Sequence, residues 1–191
     1  MAVSARYTAV LDACVLYPRL LRDVLLSLAQ ADLYTARWSV HIEVEWTRSL
    51  LKDRPAAQEQ IQRTVVLMRD AVPDCLVTHY EDLVDSLDLP DPDDRHVLAA
   101  AIRGNADAIV SANVKDFPAS VLSRFDIELQ TPDQFVLNQL LLQPTVALAA
   151  LKKMRERWAR PAMNAEAMVS LLEQRQLAQT AAHLRDVLEL I

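Results

Sequence analysis

Short runs of β-favouring residues alternate along this chain with longer segments whose apolar residues recur at helical spacing, and that alternation constrains the fold more than any other feature. Tyr7-Thr-Ala-Val-Leu-Asp12 reads as a strand, and Arg19 to Ala31 follows as a helix with Leu20, Leu21, Val24, Leu25 and Leu28 on one face. Leu33 to Trp38 predicts a second strand, and Ser39 an N-cap for a helix carrying Ile42, Glu43, Glu45, Trp46 and Leu50. A further helix is expected around Ala56 to Met68, and Leu76 to Tyr80 predicts another strand. Asp94 to Arg103 predicts a helix, with Gly104 stopping it in the left-handed conformation that a residue without Cβ adopts freely. Ala108 to Ser111 and Ile127 to Gln130 supply the last β segments. The expected fold is an α/β layer with a mostly parallel sheet, in which sites form at the carboxyl ends of the strands. From about Pro132 the β signal fades and Leu, Ala, Gln and Met dominate, so residues 1–133 form the expected α/β domain and 134–191 a helical C-terminal extension.

Acidic residues fall at the ends of these strands. Asp12 closes the first, and Asp116 follows the strand at Ala108–Ser111 by a short turn. Asp94 stands where the loop Asp88-Leu-Pro-Asp-Pro-Asp-Asp94 enters a helix. One of Glu43 and Glu45 can face the same cleft, but two residues apart on a helix they diverge by about 200°. Carboxylates gathered in this way repel one another unless a cation relieves them. Hard divalent ions such as Mg²⁺ or Mn²⁺ accept oxygen ligands from few carboxylates, and their natural reaction is phosphodiester hydrolysis. Helix capping accounts for one of these acids, and Asp91 and Asp93 with the two prolines shape the turn.

With 52% hydrophobic and 24% charged residues, the chain is expected to form a soluble, packed core. No signal-peptide pattern and no apolar run of roughly 20 residues is visible, so the expected location is the cytoplasm, with no membrane partner. The net charge of −6 argues against a broad electrostatic grip on nucleic acid, except that a metal-neutralised acidic site inflates the negative count. Cys14 and Cys75 have no metal-binding spacing and are expected to be buried thiols. His41, His79, His96 and His183 are scattered without ligand spacing, and packing or surface roles are expected of them. Lys152 to Arg160, with Trp158 embedded, is a basic patch that reads as an exposed helix face, with RNA contact as the alternative.

Four segments in order carry a resemblance: Val10-Leu-Asp-Ala-Cys-Val-Leu16, Trp38-Ser…Ile42…Glu45-Trp46, Asp91-Pro-Asp-Asp-Arg-His-Val-Leu-Ala-Ala-Ala101 and Ile109-Val-Ser-Ala-Asn-Val-Lys-Asp-Phe117. Together they resemble the successive signatures of PIN-domain nucleases, and most closely the VapC-type toxins of bacterial toxin–antitoxin pairs. The resemblance implies a PIN-like three-layer α/β fold over roughly residues 5 to 133 and a Mg²⁺-dependent, or Mn²⁺-dependent, endoribonuclease. It assigns Asp12 as the central ligand, Glu45 as the helix-borne acid, and Asp94 and Asp116 as the third and fourth carboxylates. Asn113 stands where many relatives carry an aspartate, which leaves the fourth position open between Asn113 and Asp116. Ser111 could hydrogen-bond a ligand carboxylate, and Arg95 and Lys115 could hold a phosphate. The resemblance further implies an RNA substrate, products with 5′-phosphate and 3′-hydroxyl ends, a cognate antitoxin and a homodimer. A catalytically degenerate interaction module and a DNA-directed nuclease are the alternatives.

Overall fold

The computed structural model describes residues 6–159 and 161–191. In chain order the elements are β1 (Thr8–Leu11), α1 (Ala13–Leu16), α2 (Arg19–Gln30), β2 (Thr35–Arg37), α3 (Val40–Asp53), α4 (Gln58–Ala71), α5 (Glu81–Val84), α6 (Arg95–Arg103), β3 (Ala108–Val110), α7 (Ala119–Leu122) and β4 (Glu128–Gln130). Four more helices follow: α8 (Pro132–Leu142), α9 (Pro144–Glu156), α10 (Ala165–Gln174) and α11 (Ala178–Arg185). They form two compact units, one holding the chain up to Tyr17 with Tyr34–Gln130, the other Pro18–Leu33 with Thr131–Ile191.

The first unit is built on a four-stranded parallel sheet in the order β2-β1-β3-β4. Ala9 pairs with Ala36 on one side and Ala108 on the other, and Ile109 pairs in turn with Leu129. The central strands are apolar throughout rather than alternating, as parallel strands covered on both faces must be: Ala9, Val10, Leu11, Ala108, Ile109 and Val110 are all fully buried. Helix α6 packs on β1 and β3, and its residues Val97 to Ala101 are fully buried. Ser39 caps α3 as its sequence position predicts, its Oγ accepting from the Ile42 N–H at 3.2 Å.

Two local expectations fail. Leu76–Tyr80 makes a single bridge, Leu76 with Trp38, and no strand. His79 sits at φ 60°, a left-handed conformation that breaks an extended run. Gly104 ends α6, but at φ −80°, so it is not there for left-handed freedom; Asn105, at φ 47°, takes that role. The glycine answers a packing demand instead. A Cβ at position 104 would stand 3.0 Å from the Ala100 carbonyl oxygen and 3.0 Å from Val77 Cγ2.

In the second unit α2 packs against α8 and α9, and α11 against α8 and α10. The apolar face of α2 read from the sequence is the buried one: Leu20, Leu21, Val24, Leu25 and Leu28. Each such side chain contributes about 1.5–3 kcal/mol when removed from water. Thr131 and Gln134 form a reciprocal capping box at the start of α8. Helix α11 has no cap of its own, and Asp133 supplies one from α8: its carboxylate accepts from the N–H groups of Gln179 at 2.9 Å and Thr180 at 2.8 Å. Trp158 is committed to this unit rather than presented as a stacking platform. Its indole donates to Asp23 at 3.1 Å and lies under the Arg19 guanidinium at 4.3 Å, while Arg157 donates to Ser27. Arg160, at the end of the basic patch, lies outside the described residues.

Candidate metal centre

The pairing of β1 with β3 sets Leu11 beside Val110, so the residues that follow the two strands, Asp12 and Ser111, come out side by side. Asp12 is 5% exposed and well supplied with donors. Its Oδ1 accepts from the Ala13 N–H at 2.6 Å, and its Oδ2 from Ser111 Oγ at 2.6 Å and Cys14 Sγ at 3.1 Å. These bonds fill three of the roughly four acceptor positions of a carboxylate and leave a lone pair on Oδ1. Ser111 Oγ also accepts from the Asn113 N–H at 3.0 Å, tying the loop after β3 to the same point. Cys14 as a residue is exposed, not buried as expected, but its sulfur is turned inward against Asp12 and Ser111. Enclosure of its sulfur, and then the Asp12 charge, push the thiol up to about 12, so it remains a donor.

The acidic loop divides its labour differently from the sequence reading. Asp91, not Asp94, does the capping: its Oδ1 accepts from the Asp93 N–H at 2.9 Å across a short 3₁₀ turn, Pro92–Asp94. Asp94 stands at the N-cap of α6 without capping it. Its Oδ2 accepts from Asn113 Nδ2 at 3.1 Å instead. Oxygens of Asp91, Asp94 and Asp116 lie within 4.8 Å of one another. Burial and then the charges of Asp12, Asp91, Asp116 and Glu45 push Asp94 up to about 7. This crowding of oxygen donors, with one member driven toward protonation, fits a hard divalent cation such as Mg²⁺ or Mn²⁺.

The two helix-borne glutamates separate. Glu43 is consumed by the protein itself, forming an ion pair with Arg69 and accepting from Trp38 Nε1 at 2.9 Å. Glu45 is 34% exposed, its Oε1 lies 3.1 Å from His96 Nε2, and its charge is among those acting on Asp94. His41 stacks on His96, with ring centroids 3.8 Å apart. Sequence reading missed this pair, since the two histidines lie on different helices, and it favoured a turn-shaping role for Asp91 over direct ligation. Asn113 and Asp116, the alternatives for one position, both stand beside Asp94, Asn113 through a hydrogen bond to it and Asp116 as a like charge that raises its pKa. Arg95 leans toward Asp88 at 3.8 Å, and Lys115 is exposed.

Comparison with known proteins identifies the family. A family model described as PIN domain matches residues 8–115, and the chain belongs to that family. A second model, described as VapC50 C-terminal domain, matches residues 132–186. A curated Mycobacterium tuberculosis (strain ATCC 25618 / H37Rv) protein described as "Putative ribonuclease VapC50" is 37% identical over 92 residues, which is 48% of this chain and 54% of the relative. The matched stretch thus spans about half the length of that VapC-type relative. No solved structure matches the chain. Among the described residues no helix is long and apolar enough to cross a membrane.

Proposed function

We propose that this chain is a divalent-metal-dependent endoribonuclease of the VapC type, the toxin of a toxin–antitoxin pair, acting in the cytoplasm. One observation carries the reading: oxygens of Asp91, Asp94 and Asp116 gather within 4.8 Å of one another beyond the carboxyl ends of a parallel sheet, where burial and then the charges of four acidic neighbours raise Asp94. A protein does not gather such charge for stability, because each ionised neighbour destabilises the next. The similarity to a relative named as a ribonuclease supports RNA as the substrate.

Asp12, Glu45, Asp94 and Asp116 are the residues we assign to Mg²⁺, or Mn²⁺, with Asn113 contributing an amide beside them. When bound, a hard dication neutralises the clustered charge and polarises a phosphodiester oxygen. Asp12 offers its remaining Oδ1 lone pair in a fixed direction, because three donors hold the carboxylate. Asn113 Nδ2 holds Asp94 from the other side, fixing it without adding negative charge. Arg95 and Lys115 flank Asp94 and Asp116 in sequence and supply positive charge for the RNA backbone. The division at residue 133, an antitoxin seated on the chain and a homodimer belong to the same proposal.

The test is cleavage of single-stranded RNA with Mg²⁺ or Mn²⁺, with DNA as competitor. Asp12→Asn is expected to abolish cleavage while circular dichroism stays native, and the products are expected to carry 5′-phosphate ends. Mn²⁺-dependent RNA cleavage by Asp12→Asn at the parent rate would refute the assignment. Preferential cleavage of DNA would transfer it to a DNA-directed nuclease.

A further inference from the structure

Beside the carboxylate cluster stands a second group of donors with a different chemistry. His41 and Glu45 are four residues apart on α3 and share one helical face, and His96 reaches them from α6. One ligand atom from each of the three lies within 4.8 Å of the others. His96 is 97% buried and turns its Nε2 toward Glu45, while its Nδ1 has no hydrogen-bond partner among the described residues, so this ring's burial is left partly uncompensated. The Glu45 Oε1 to His96 Nε2 distance is 3.1 Å. Two donors bonded at about 2.0–2.1 Å to one tetrahedral ion stand roughly 3.3 Å apart, so this pair needs little movement to share a cation. His41 is exposed and stacked only on its neighbour's ring, so it can turn to complete the set.

We propose that His41, Glu45 and His96 form a binding site for a borderline transition-metal dication such as Zn²⁺ or Ni²⁺. Two imidazoles and one carboxylate, leaving an open position, suit Zn²⁺ and Ni²⁺; Mg²⁺ prefers the all-oxygen set assigned above, Asp12, Glu45, Asp94 and Asp116. Glu45 belongs to both groups, so an ion held by the histidines engages a carboxylate that the neighbouring site would otherwise use. The two sites differ in ligand type, and excess Mg²⁺ therefore fails to displace the transition metal.

The test is calorimetric titration of the full chain with Zn²⁺ in excess Mg²⁺, a readout that does not depend on the nuclease assignment. The parent chain is expected to show saturable uptake that His41→Ala weakens by at least about tenfold, the loss typical of removing a group that supports a metal. His41 is exposed, so this variant keeps its fold. Asp116→Asn, which alters only the carboxylate cluster, is expected to change Zn²⁺ affinity less than about threefold, within ordinary mutational scatter. Absence of saturable uptake in the parent chain, or uptake that His41→Ala leaves unchanged, would overturn the proposal. So would uptake lost in Asp116→Asn and retained in His41→Ala, which would place the ion among the aspartates.

Discussion

Asp94→Asn is predicted to stabilise the metal-free protein at alkaline pH. The folded environment raises Asp94 from its ordinary 3.8 to about 7, chiefly by burial and then by the charges of Asp12 and Asp91. A carboxyl whose folded pKa is raised holds its proton more tightly in the native state. Its contribution to stability is therefore fully present below pH 4 and lost as pH rises through about 7. Taken at face value the shift is worth roughly 4 kcal/mol at 1.36 kcal/mol per pH unit. Asp94 is half-buried, and solvent screening brings the expected loss to about 1–2 kcal/mol. Asparagine does not titrate, and its amide oxygen can still accept from Asn113. The variant should match the parent near pH 4.5 and melt about 2–8 °C higher at pH 8, given roughly 2–4 °C per kcal/mol for a chain of this size. The assay is a thermal melt with chelator across pH 4.5 to 8.5. A constant difference between the two proteins, or a variant that is the less stable at pH 8, would refute the reasoning.

Four further substitutions, one of them paired with a compensating change, separate support from chemistry. Glu43→Gln should cost about 1–3 kcal/mol by urea unfolding, since it removes the partner of Arg69, whereas Glu45→Gln should leave stability nearly unchanged and remove RNA cleavage. Equal effects of the two on stability would contradict their separation. Ser111→Ala removes the 2.6 Å bond that aims Asp12, and Mn²⁺ affinity measured by calorimetry should fall 10–100-fold, as is typical when a ligand's support is lost. Gly104→Ala should destabilise by about 1–3 kcal/mol through crowding against the Ala100 carbonyl and Val77, and Val77→Ala in the same chain should recover part of that loss. Urea unfolding that shows no recovery would put the cause in the backbone.

The sequence announced the strands that end in buried pairs, because their patterning is local: an unbroken apolar run at Ala9–Leu11, a serine before a helical stripe at Ser39, and aspartates beyond strand ends. Leu76–Tyr80 misled because its β-branched residues describe a preference, whereas a strand also needs a neighbour along its length, and here only Leu76 has one. Gly104 misled for the opposite reason. Left-handed stops are its common use; the Ala100 carbonyl belongs to the same helix, and it is Val77, brought there by the fold and not by adjacent sequence, that closes the space for a Cβ. The same limit hid the His41–His96 stack and, apart from the family resemblance, left open which of Glu43 and Glu45 faces the cleft. Helical periodicity says that two residues point apart, but only the position of Arg69 and Trp38 says which one is occupied.

The assignment of α2 to the unit formed by the C-terminal helices also bears on how the chain is made. As a polypeptide leaves the ribosome, α2 emerges early, with five large aliphatic side chains on one face, while α8 and α9, the helices that cover it, are translated roughly a hundred residues later. At synthesis rates of about 5–20 residues per second, that interval is on the order of 10 s. For that time a leucine-rich helix has no native partner, and a ribosome-associated chaperone or a neighbouring nascent chain has the first opportunity to bind it. A stop codon that removed the last four helices would make the exposure permanent, so truncated products of this gene should be aggregation-prone even when their sheet is complete.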